Sequence, residues 1–250
     1  MRGLKNKRVL ITGGAGGIGT ATAKRFLEEG SRVFILDRDA DACERIQEEL
    51  PSMETILTAD VSKVNEVEKA FSDLDHICQG LDILINNAGI SIRHSFLEIT
   101  PEEWQRLIDI NLTGAFYVAQ AAARRMKAQG SGIILNMAST NGMTGYPYYA
   151  DYNASKAGLI ALTKSMALEL APEIRVLAVC PGFVLTPMQE AEYSPEMMEA
   201  ANKKVPLQRH AQPAEGAALF AFLASEEAGY LTGHCYMIDG GELAGGLASR

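Results

Sequence analysis

Tyr152 and Lys156 lie four positions apart, and together their side chains could transfer a proton. On a helix, residues at this spacing share one face, so the lysine ammonium would stand near the tyrosine phenol. A neighbouring positive charge favours the ionised phenol, whose ordinary pKa is about 10, and brings it closer to use as an acid or base near neutral pH. Because the same spacing also arises by chance in helices, the interpretation depends on the rest of the chain.

A glycine-rich turn near the N-terminus indicates a phosphate-binding site. Residues 8–12 predict a buried strand, residues 13–19 read GGAGGIG, and the apolar residues that follow recur at helical spacing. Glycine allows a tight turn and a close approach of the backbone to a pyrophosphate, whose charge the helix N-terminus would receive. The position between a strand and a helix is the context that a dinucleotide-binding motif requires.

Asp37 follows the second apolar strand, residues 32–36, and bears on which dinucleotide is bound. A carboxylate at this position can accept hydrogen bonds from the adenosine ribose and would repel a 2′-phosphate, which favours NAD over NADP. Two alternatives stay open. Asp37 could merely begin a solvated turn, or Arg38 could receive a 2′-phosphate if Asp37 turned away. The sequence therefore predicts NAD as the cofactor, while Arg38 is the one neighbouring residue that would favour NADP.

Charge and composition exclude several classes of protein. The 250 residues carry a net charge of −8 without a run of Lys or Arg, so we expect no nucleic-acid or membrane partner. No segment has membrane-spanning length, and the first residues contain no apolar signal core. The four cysteines and four histidines are dispersed without metal-ligand spacing. We therefore expect reduced thiols, no metal and a cytoplasmic location.

Apolar strands and helical segments alternate along the whole chain, without a linker or an internal repeat. This pattern predicts a single α/β domain over residues 1–250, built on a parallel sheet with helices on both faces. Ligands of such sheets bind beyond the carboxyl ends of the strands. The residues at the predicted strand ends are Gly13, Asp37, Asp60, Asn86, Ser139 and Pro181.

Several motifs occur in a fixed order along the chain. They are TGxxxGxG at 12–19, NNAG at 86–89, Asn111, Ser139, YxxxK at 152–156 and Pro181-Gly182. Taken together, over about residues 4–241, they resemble the short-chain dehydrogenase/reductase family. The resemblance implies a Rossmann-type, doubly wound sheet of seven parallel strands and a homotetramer.

The same resemblance implies roles for individual residues. Tyr152 would be the acid/base, and Lys156 would hold the nicotinamide ribose and tune Tyr152. Ser139 would orient the reacting oxygen, and Asn111 would support a water-linked proton relay. The implied cofactor-binding residues are Thr12, Gly13, Gly17, Ile18, Gly19, Asp37, Asp60, Val61, Asn87, Ala88, Gly89, Tyr152, Lys156, Pro181, Gly182 and Thr186.

The sequence indicates less about the substrate than about the cofactor. Residues 183–210 contain methionine, tyrosine and proline, which suits a movable substrate lid, although helical core packing explains the methionines equally well. Arg93 and His94 could face the pocket and bind a carboxylate or a polar substituent, or could simply lie at the surface.

The overall pattern is close to 3-oxoacyl-carrier-protein reductases and to sugar or polyol dehydrogenases. Asp37 and the non-basic Gly16 depart from the NADPH preference of the former, so we expect NAD-linked oxidation of a secondary alcohol to its ketone. The alternatives are an NADPH-dependent 3-oxoacyl-carrier-protein reductase and a non-catalytic NAD(H)-binding regulator. A regulator would need the glycine turn but not Tyr152 and Lys156, and their presence argues against it.

Overall fold

Seven parallel strands form one sheet in the computed structural model, which describes residues 1–245. Residues 246–250 of the predicted domain lie outside the described residues. The strands are β1 (Arg8–Thr12), β2 (Arg32–Asp37), β3 (Thr55–Thr58), β4 (Ile83–Asn86), β5 (Gly132–Met137), β6 (Ile174–Pro181) and β7 (Cys235–Ile238). Their spatial order is β3-β2-β1-β4-β5-β6-β7, so the predicted doubly wound, Rossmann-type α/β fold is confirmed.

Helices cover both faces of this sheet. They are α1 (Gly17–Glu28), α2 (Ala40–Glu49), α3 (Val64–Ile77), α4 (Pro101–Ile108), α5 (Ala115–Gln129), α6 (Ala150–Leu170), α7 (Pro187–Glu192), α8 (Pro195–Lys204) and α9 (Pro213–Ala224). No helix within residues 1–245 is both long and apolar enough to cross a membrane.

The two helical layers follow from the alternation of side chains along the strands. On β2, Phe34 packs with Phe71 of α3, whereas its neighbour Ile35 packs with Phe26 of α1 and Phe220 of α9. All five side chains are at most 1% exposed. Because successive residues of a strand point to opposite faces, a strand that is apolar throughout needs cover on both sides.

A row of polar side chains closes the carboxyl ends of the central strands. Thr12, Asn86 and Asn136 stand side by side in the strand register, and Asn86 Nδ2 donates to Asn136 Oδ1 at 3.2 Å. Asn136 Nδ2 in turn donates to Thr163 Oγ1 of α6 at 2.9 Å. These side chains are at most 3% exposed, so each depends on protein partners for its hydrogen bonds. The row fixes the strand ends and α6 relative to one another.

Asn136→Ala should destabilise the protein by about 1–3 kcal/mol, because it removes two buried hydrogen bonds and leaves a small cavity. Chemical denaturation would measure the free energy of unfolding. Asn65→Ala, at an exposed position on α3, is the matched control and should change it by less than about 0.5 kcal/mol. Equal unfolding free energies for the parent and Asn136→Ala would contradict a structural role for the polar row.

Candidate active site

A cleft of about 420 Å³ lies beyond the carboxyl ends of β1 to β6. This volume is within the usual range for small-molecule sites. The predicted site residues that line the cleft are Gly13, Gly17, Ile18, Asp37, Asp60, Val61, Asn87, Ala88, Gly89, Ser139, Tyr152, Lys156, Pro181, Gly182 and Thr186. Three further predicted residues, Thr12, Gly19 and Asn111, do not line it. Each of them instead contacts residues that line the cleft, without lining it itself.

The glycine turn places the N-terminus of α1 at the cleft. No side chain caps this helix, so the amides of its first turn remain available to a ligand. A Cβ atom built on Gly16 would meet nothing within 4 Å, whereas one built on Gly19 would lie 2.1 Å from the carbonyl oxygen of Gly13. Gly19 is thus required by packing within the turn. Gly16 instead has open space where a side chain would be. A pyrophosphate could therefore approach the backbone closely at this edge of the cleft.

Thr12 joins the turns that follow β1 and β4. Its Oγ1 accepts hydrogen bonds from the amides of Asn87 and Ala88, each at 3.0 Å. The Asn87 side chain donates back to the carbonyl oxygens of Thr12 and Gly13, also at 3.0 Å. Thr12 is fully buried, so its place in the site is to position the residues that line the cleft rather than to line it.

Acidic side chains dominate the end of the cleft at β2. Asp37 Oδ2 accepts a hydrogen bond from the amide of Ala15 at 3.1 Å, which joins the carboxylate to the glycine turn. Asp39 also lines the cleft, and so does Arg38. Arg38 Nη1 lies 3.9 Å from Asp60 Oδ2, a long contact for a side chain that is 48% exposed. Three carboxylates, those of Asp37, Asp39 and Asp60, and one loosely paired guanidinium therefore line this part of the cleft.

Tyr152 and Lys156 share one face near the start of α6, as their spacing predicts. Lys156 is 3% exposed, its Nζ donates to the carbonyl oxygen of Met137 at 2.8 Å, and it lies 5.4 Å from the centre of the Tyr152 ring. Ser139, just beyond β5, lines the cleft together with Tyr152, and its hydroxyl accepts a hydrogen bond from the Asn141 amide at 3.2 Å. The helix and the neighbouring strand end thus bring the hydroxyl, phenol and ammonium groups into the same part of the cleft.

Burial sets the proton affinities of this pair in the ligand-free site. It raises the pKa of Tyr152 to about 12, although the nearby Ser139 hydroxyl opposes the shift, and Glu192 raises the pKa further. Burial also lowers the pKa of Lys156 to about 8. The sequence predicts a phenol that is easier to ionise, and in the ligand-free site its pKa is shifted the other way. The reason is desolvation, which the spacing of two residues does not reveal.

Asn111 lies in a π-helical turn, residues 109–114, between α4 and α5. Its Nδ2 donates to the carbonyl oxygen of Ile90, and its Oδ1 accepts from the Ile90 amide, both at 2.8 Å. A Cβ atom built on Gly89 would lie 3.2 Å from Asn111 Oδ1 and 3.6 Å from Lys156 Nζ, so both groups flank this glycine. Asn111 therefore supports the loop after β4 next to Lys156.

Arg93 and His94 do not line the cleft. The guanidinium of Arg93 lies 4.2 Å from the centre of the Tyr148 ring, and His94 Nε2 lies 3.0 Å from Asp151 Oδ2. Asp151 is fully buried and accepts a hydrogen bond from the Tyr152 amide. Of the two roles that the sequence leaves open for Arg93 and His94, a place in the pocket does not agree with these contacts, because both side chains bind the segment at the start of α6.

Several residues of the cleft carry no motif that singles them out in the sequence. Leu36, Ala59, Ile90 and Ile110 line it without having been predicted, and Val184 and Gln189 line it from within the predicted lid, whose individual contact residues were not named. Leu36 and Ala59 adjoin predicted strand ends, so extending each end by one residue would have found them. Ile110 and Gln189 belong to later helical segments, and no local signal distinguishes them from other helical residues.

Comparisons with known proteins agree with this geometry. A family model described as enoyl-(acyl carrier protein) reductase matches residues 13–242. A 3-oxoacyl-[acyl-carrier-protein] reductase of Aquifex aeolicus is 37% identical, over 95% of this chain and 98% of that protein. An NAD-dependent glycerol dehydrogenase of Listeria innocua is 34% identical, over 95% of this chain and 94% of that protein. The crystal structure of a short-chain type dehydrogenase/reductase from Mycobacterium marinum superposes with a TM-score of 0.92 at 36% identity, covering 97% of each chain.

Gly16→Ala and Gly19→Ala should separate ligand contact from packing in the glycine turn. Gly16→Ala should leave the melting temperature of the ligand-free protein within about 2 °C of the parent, since the backbone there is extended and the space is open. It should nevertheless weaken dinucleotide binding, measured by calorimetry. Gly19→Ala should lower the melting temperature itself. Unchanged dinucleotide affinity in a folded Gly16→Ala variant would contradict the assignment of the turn to a pyrophosphate.

Proposed function

Because the chain belongs to the short-chain dehydrogenase/reductase family, whose members move a hydride between a nicotinamide cofactor and a CH–OH group, we propose that it oxidises a secondary alcohol with NAD. The observation that carries the choice of NAD is the pair of carboxylates, Asp37 and Asp39, in the cleft at the end of β2. A 2′-phosphate placed there would meet two negative charges. Arg38, the cation beside them, is directed towards Asp60.

The residues present fit such a dinucleotide from one end of the cleft to the other. The uncapped N-terminus of α1 and the open backbone at Gly16 suit the pyrophosphate, and Asp37 suits the adenosine ribose. Asp60 and Val61 would contact the adenine. In our proposal Lys156 holds the nicotinamide ribose, while Pro181, Gly182 and Thr186 border the nicotinamide. The bound cofactor supplies the hydride acceptor for the oxidation.

The remaining chemistry belongs to the side chains around Tyr152. Ser139 and Tyr152 would hold the substrate hydroxyl, and the Tyr152 oxygen would accept its proton as the alcohol becomes a ketone. The Lys156 ammonium would stabilise the phenolate that oxidation requires, at close range and shielded from water. Asn111 would support the proton relay from behind Gly89, where it holds the loop after β4.

Reduction of a 3-oxoacyl-carrier-protein with NADPH is the second candidate function. Arg38 favours it, because this side chain lines the cleft and is only loosely paired with Asp60. The 37% identity to a protein named for that activity gives it further support. A non-catalytic regulator is less well supported, since a dinucleotide sensor has no need of a phenol, a hydroxyl and a buried ammonium at one point.

We further propose a single domain with a lid at about 183–210, assembled as a homotetramer in the cytoplasm. Met188 and Gln189 of α7 line the cleft, and none of the residues of this six-residue helix is buried, as suits a segment that moves. The exposed apolar side chains of Phe116 on α5 and Leu168 on α6 favour association, and light scattering of the purified protein would measure the oligomer. The buried thiols of Cys43, Cys78 and Cys180 suit a reducing compartment.

Asp37→Ala should lower the preference for NAD over NADP about tenfold or more in kcat/KM, because it removes ribose hydrogen bonds and the repulsion of a 2′-phosphate. Steady-state kinetics with each cofactor would measure the ratio. Asp41→Ala, an exposed carboxylate on α2 outside the cleft, removes the same charge and should leave the ratio unchanged. A parent enzyme with higher catalytic efficiency for NADP would overturn the cofactor proposal.

Tyr152→Phe should reduce kcat by about 10²–10⁴-fold, the usual contribution of a positioned acid or base, with little change in dinucleotide affinity. Because oxidation needs the phenolate beside the Lys156 ammonium, kcat/KM for oxidation in the parent should rise with pH as the buried pair of Tyr152 and Lys156 loses its first proton. Ketone reduction needs the protonated phenol and should show the opposite trend. A flat oxidation profile with a rate-limiting hydride step, shown by a deuterium isotope effect, would count against Tyr152.

A further inference from the structure

A smaller pocket of about 90 Å³ opens off the main cleft beside Tyr152. The two share Ser139, Tyr152, Gly182, Thr186, Met188 and Gln189. A group bound in the smaller pocket would therefore be attached to the carbon whose oxygen reacts at Tyr152. Its volume can hold a substituent of a few heavy atoms but not a long acyl chain.

Two carboxylates, Glu192 and Glu242, line this side pocket. Tyr149 donates its phenol hydrogen to Glu192 Oε2 at 2.8 Å, and Tyr146 donates to Glu242 Oε1. Burial, reinforced by the neighbouring carboxylates, raises the pKa of both tyrosines, so they remain hydrogen-bond donors. Each phenol therefore donates a hydrogen bond to a carboxylate oxygen. A carboxylate can accept several hydrogen bonds at once, so it can also accept one from a ligand.

Buried polar atoms in the side pocket still require hydrogen-bond partners. The second oxygen of Glu192, Oε1, and the side-chain nitrogen of Gln189 are buried without a hydrogen-bond partner among residues 1–245. A buried carboxylate oxygen in that state is costly unless a ligand supplies a donor. Within the pocket, a donor on a substrate would satisfy the Glu192 oxygen, whereas the Gln189 nitrogen is itself a donor and needs an acceptor.

Both carboxylates are close to the reacting centre. The charge of Glu192 raises the pKa of the Tyr152 phenol, so the two groups interact across the pocket. A Cβ atom built on Gly182 would lie 2.7 Å from Glu242 Oε2, which places that carboxylate against a residue shared by both pockets. A substituent next to the reacting carbon would therefore meet both negative charges.

We propose that Glu192 and Glu242 select secondary alcohols whose neighbouring substituent carries hydrogen-bond donors, as hydroxyl or ammonium groups, and exclude substituents that carry a carboxylate. The selection rests on the alcohol oxidation proposed above. A hydroxyl or ammonium group gains charge-assisted hydrogen bonds from these oxygens, while a carboxylate meets like charges in a poorly hydrated pocket. The carbonyl oxygen of an acyl thioester offers no donor, so a thioester gains no hydrogen bond from the two carboxylates.

Four secondary alcohols on the same four-carbon chain would test this selection, since their terminal carbon alone differs: a methyl group, a primary alcohol, a primary amine or a carboxylate. We would measure kcat/KM for each with saturating NAD, in the parent and in Glu192→Gln and Glu242→Gln. Each glutamine keeps the size of the side chain and an acceptor for the tyrosine. Ratios to the methyl-terminated alcohol cancel any change in the proton affinity of Tyr152 that is common to all substrates.

In the parent, we expect the hydroxyl- and amine-terminated alcohols to exceed the methyl-terminated one by about tenfold or more, the effect of one hydrogen bond to a charged group. The carboxylate-terminated alcohol should be the poorest. Either glutamine variant should reduce the amine-to-methyl ratio about tenfold and raise the carboxylate-to-methyl ratio. Glu190→Gln, on the same helix but outside both pockets, should leave every ratio as in the parent.

The outcomes distinguish this inference from the proposed function. NAD-dependent oxidation with identical ratios in the parent and in both glutamine variants would overturn the selection alone. A parent that prefers the methyl- or carboxylate-terminated alcohol would do the same. Oxidation of none of the four alcohols, together with NADPH-dependent reduction of a 3-oxoacyl thioester, would overturn the proposed function itself. Melting temperatures would establish that both variants fold, and either one suffices for the test.

Discussion

Hydrogen bonds among buried polar side chains hold the carboxyl ends of the central strands in register, and the site depends on them. Thr12, Asn86 and Asn136 lie across β1, β4 and β5, and Thr163 extends the row to α6. These side-chain hydrogen bonds add to the backbone hydrogen bonds that pair the strands, and they extend the connection to α6, which the backbone pairing of the sheet does not reach. Since Tyr152 and Lys156 project from α6, the distance between the phenol and the cofactor end of the cleft depends on this row.

Desolvation then determines the electrostatics of the reacting groups. Burial disfavours the charged form of both Tyr152 and Lys156, so in the ligand-free site the phenol holds its proton tightly and the ammonium loses its own more easily. Each group would be stabilised in its charged form by the other, and their separation allows this interaction. Burial thus makes it costly for either group to be charged alone. Such a pair is suited to transferring a proton only when the substrate and the cofactor are bound beside it.

Negative charge lies at both ends of the cleft, and the two ends would reject different anions. Asp37 and Asp39 line the end of the cleft where we propose that the adenosine binds, and a 2′-phosphate there would distinguish NADP from NAD. Glu192 and Glu242 face the side pocket next to Tyr152, where a carboxylate would distinguish an acidic substrate from a neutral or cationic one. Exclusion by like charge is stronger in the side pocket, where the walls displace screening water, than at the β2 end, where Arg38 and Asp39 are exposed. The same physical rule would thus set the choice of cofactor and of substrate.

The sequence alone determined the α/β sheet, the glycine turn and the Tyr152–Lys156 face of α6, because strand and helix periodicity and residue spacing are local properties. It also identified most residues at the strand ends, since parallel strands all end at one edge. Only the tertiary structure decided that Thr12, Gly19 and Asn111 contact the lining residues from behind. It alone brought Glu192 and Glu242, fifty positions apart, to one pocket. The position of these side chains depends on how the segments after β6 and β7 pack against α6, and no short-range pattern in the sequence encodes contacts between segments so far apart.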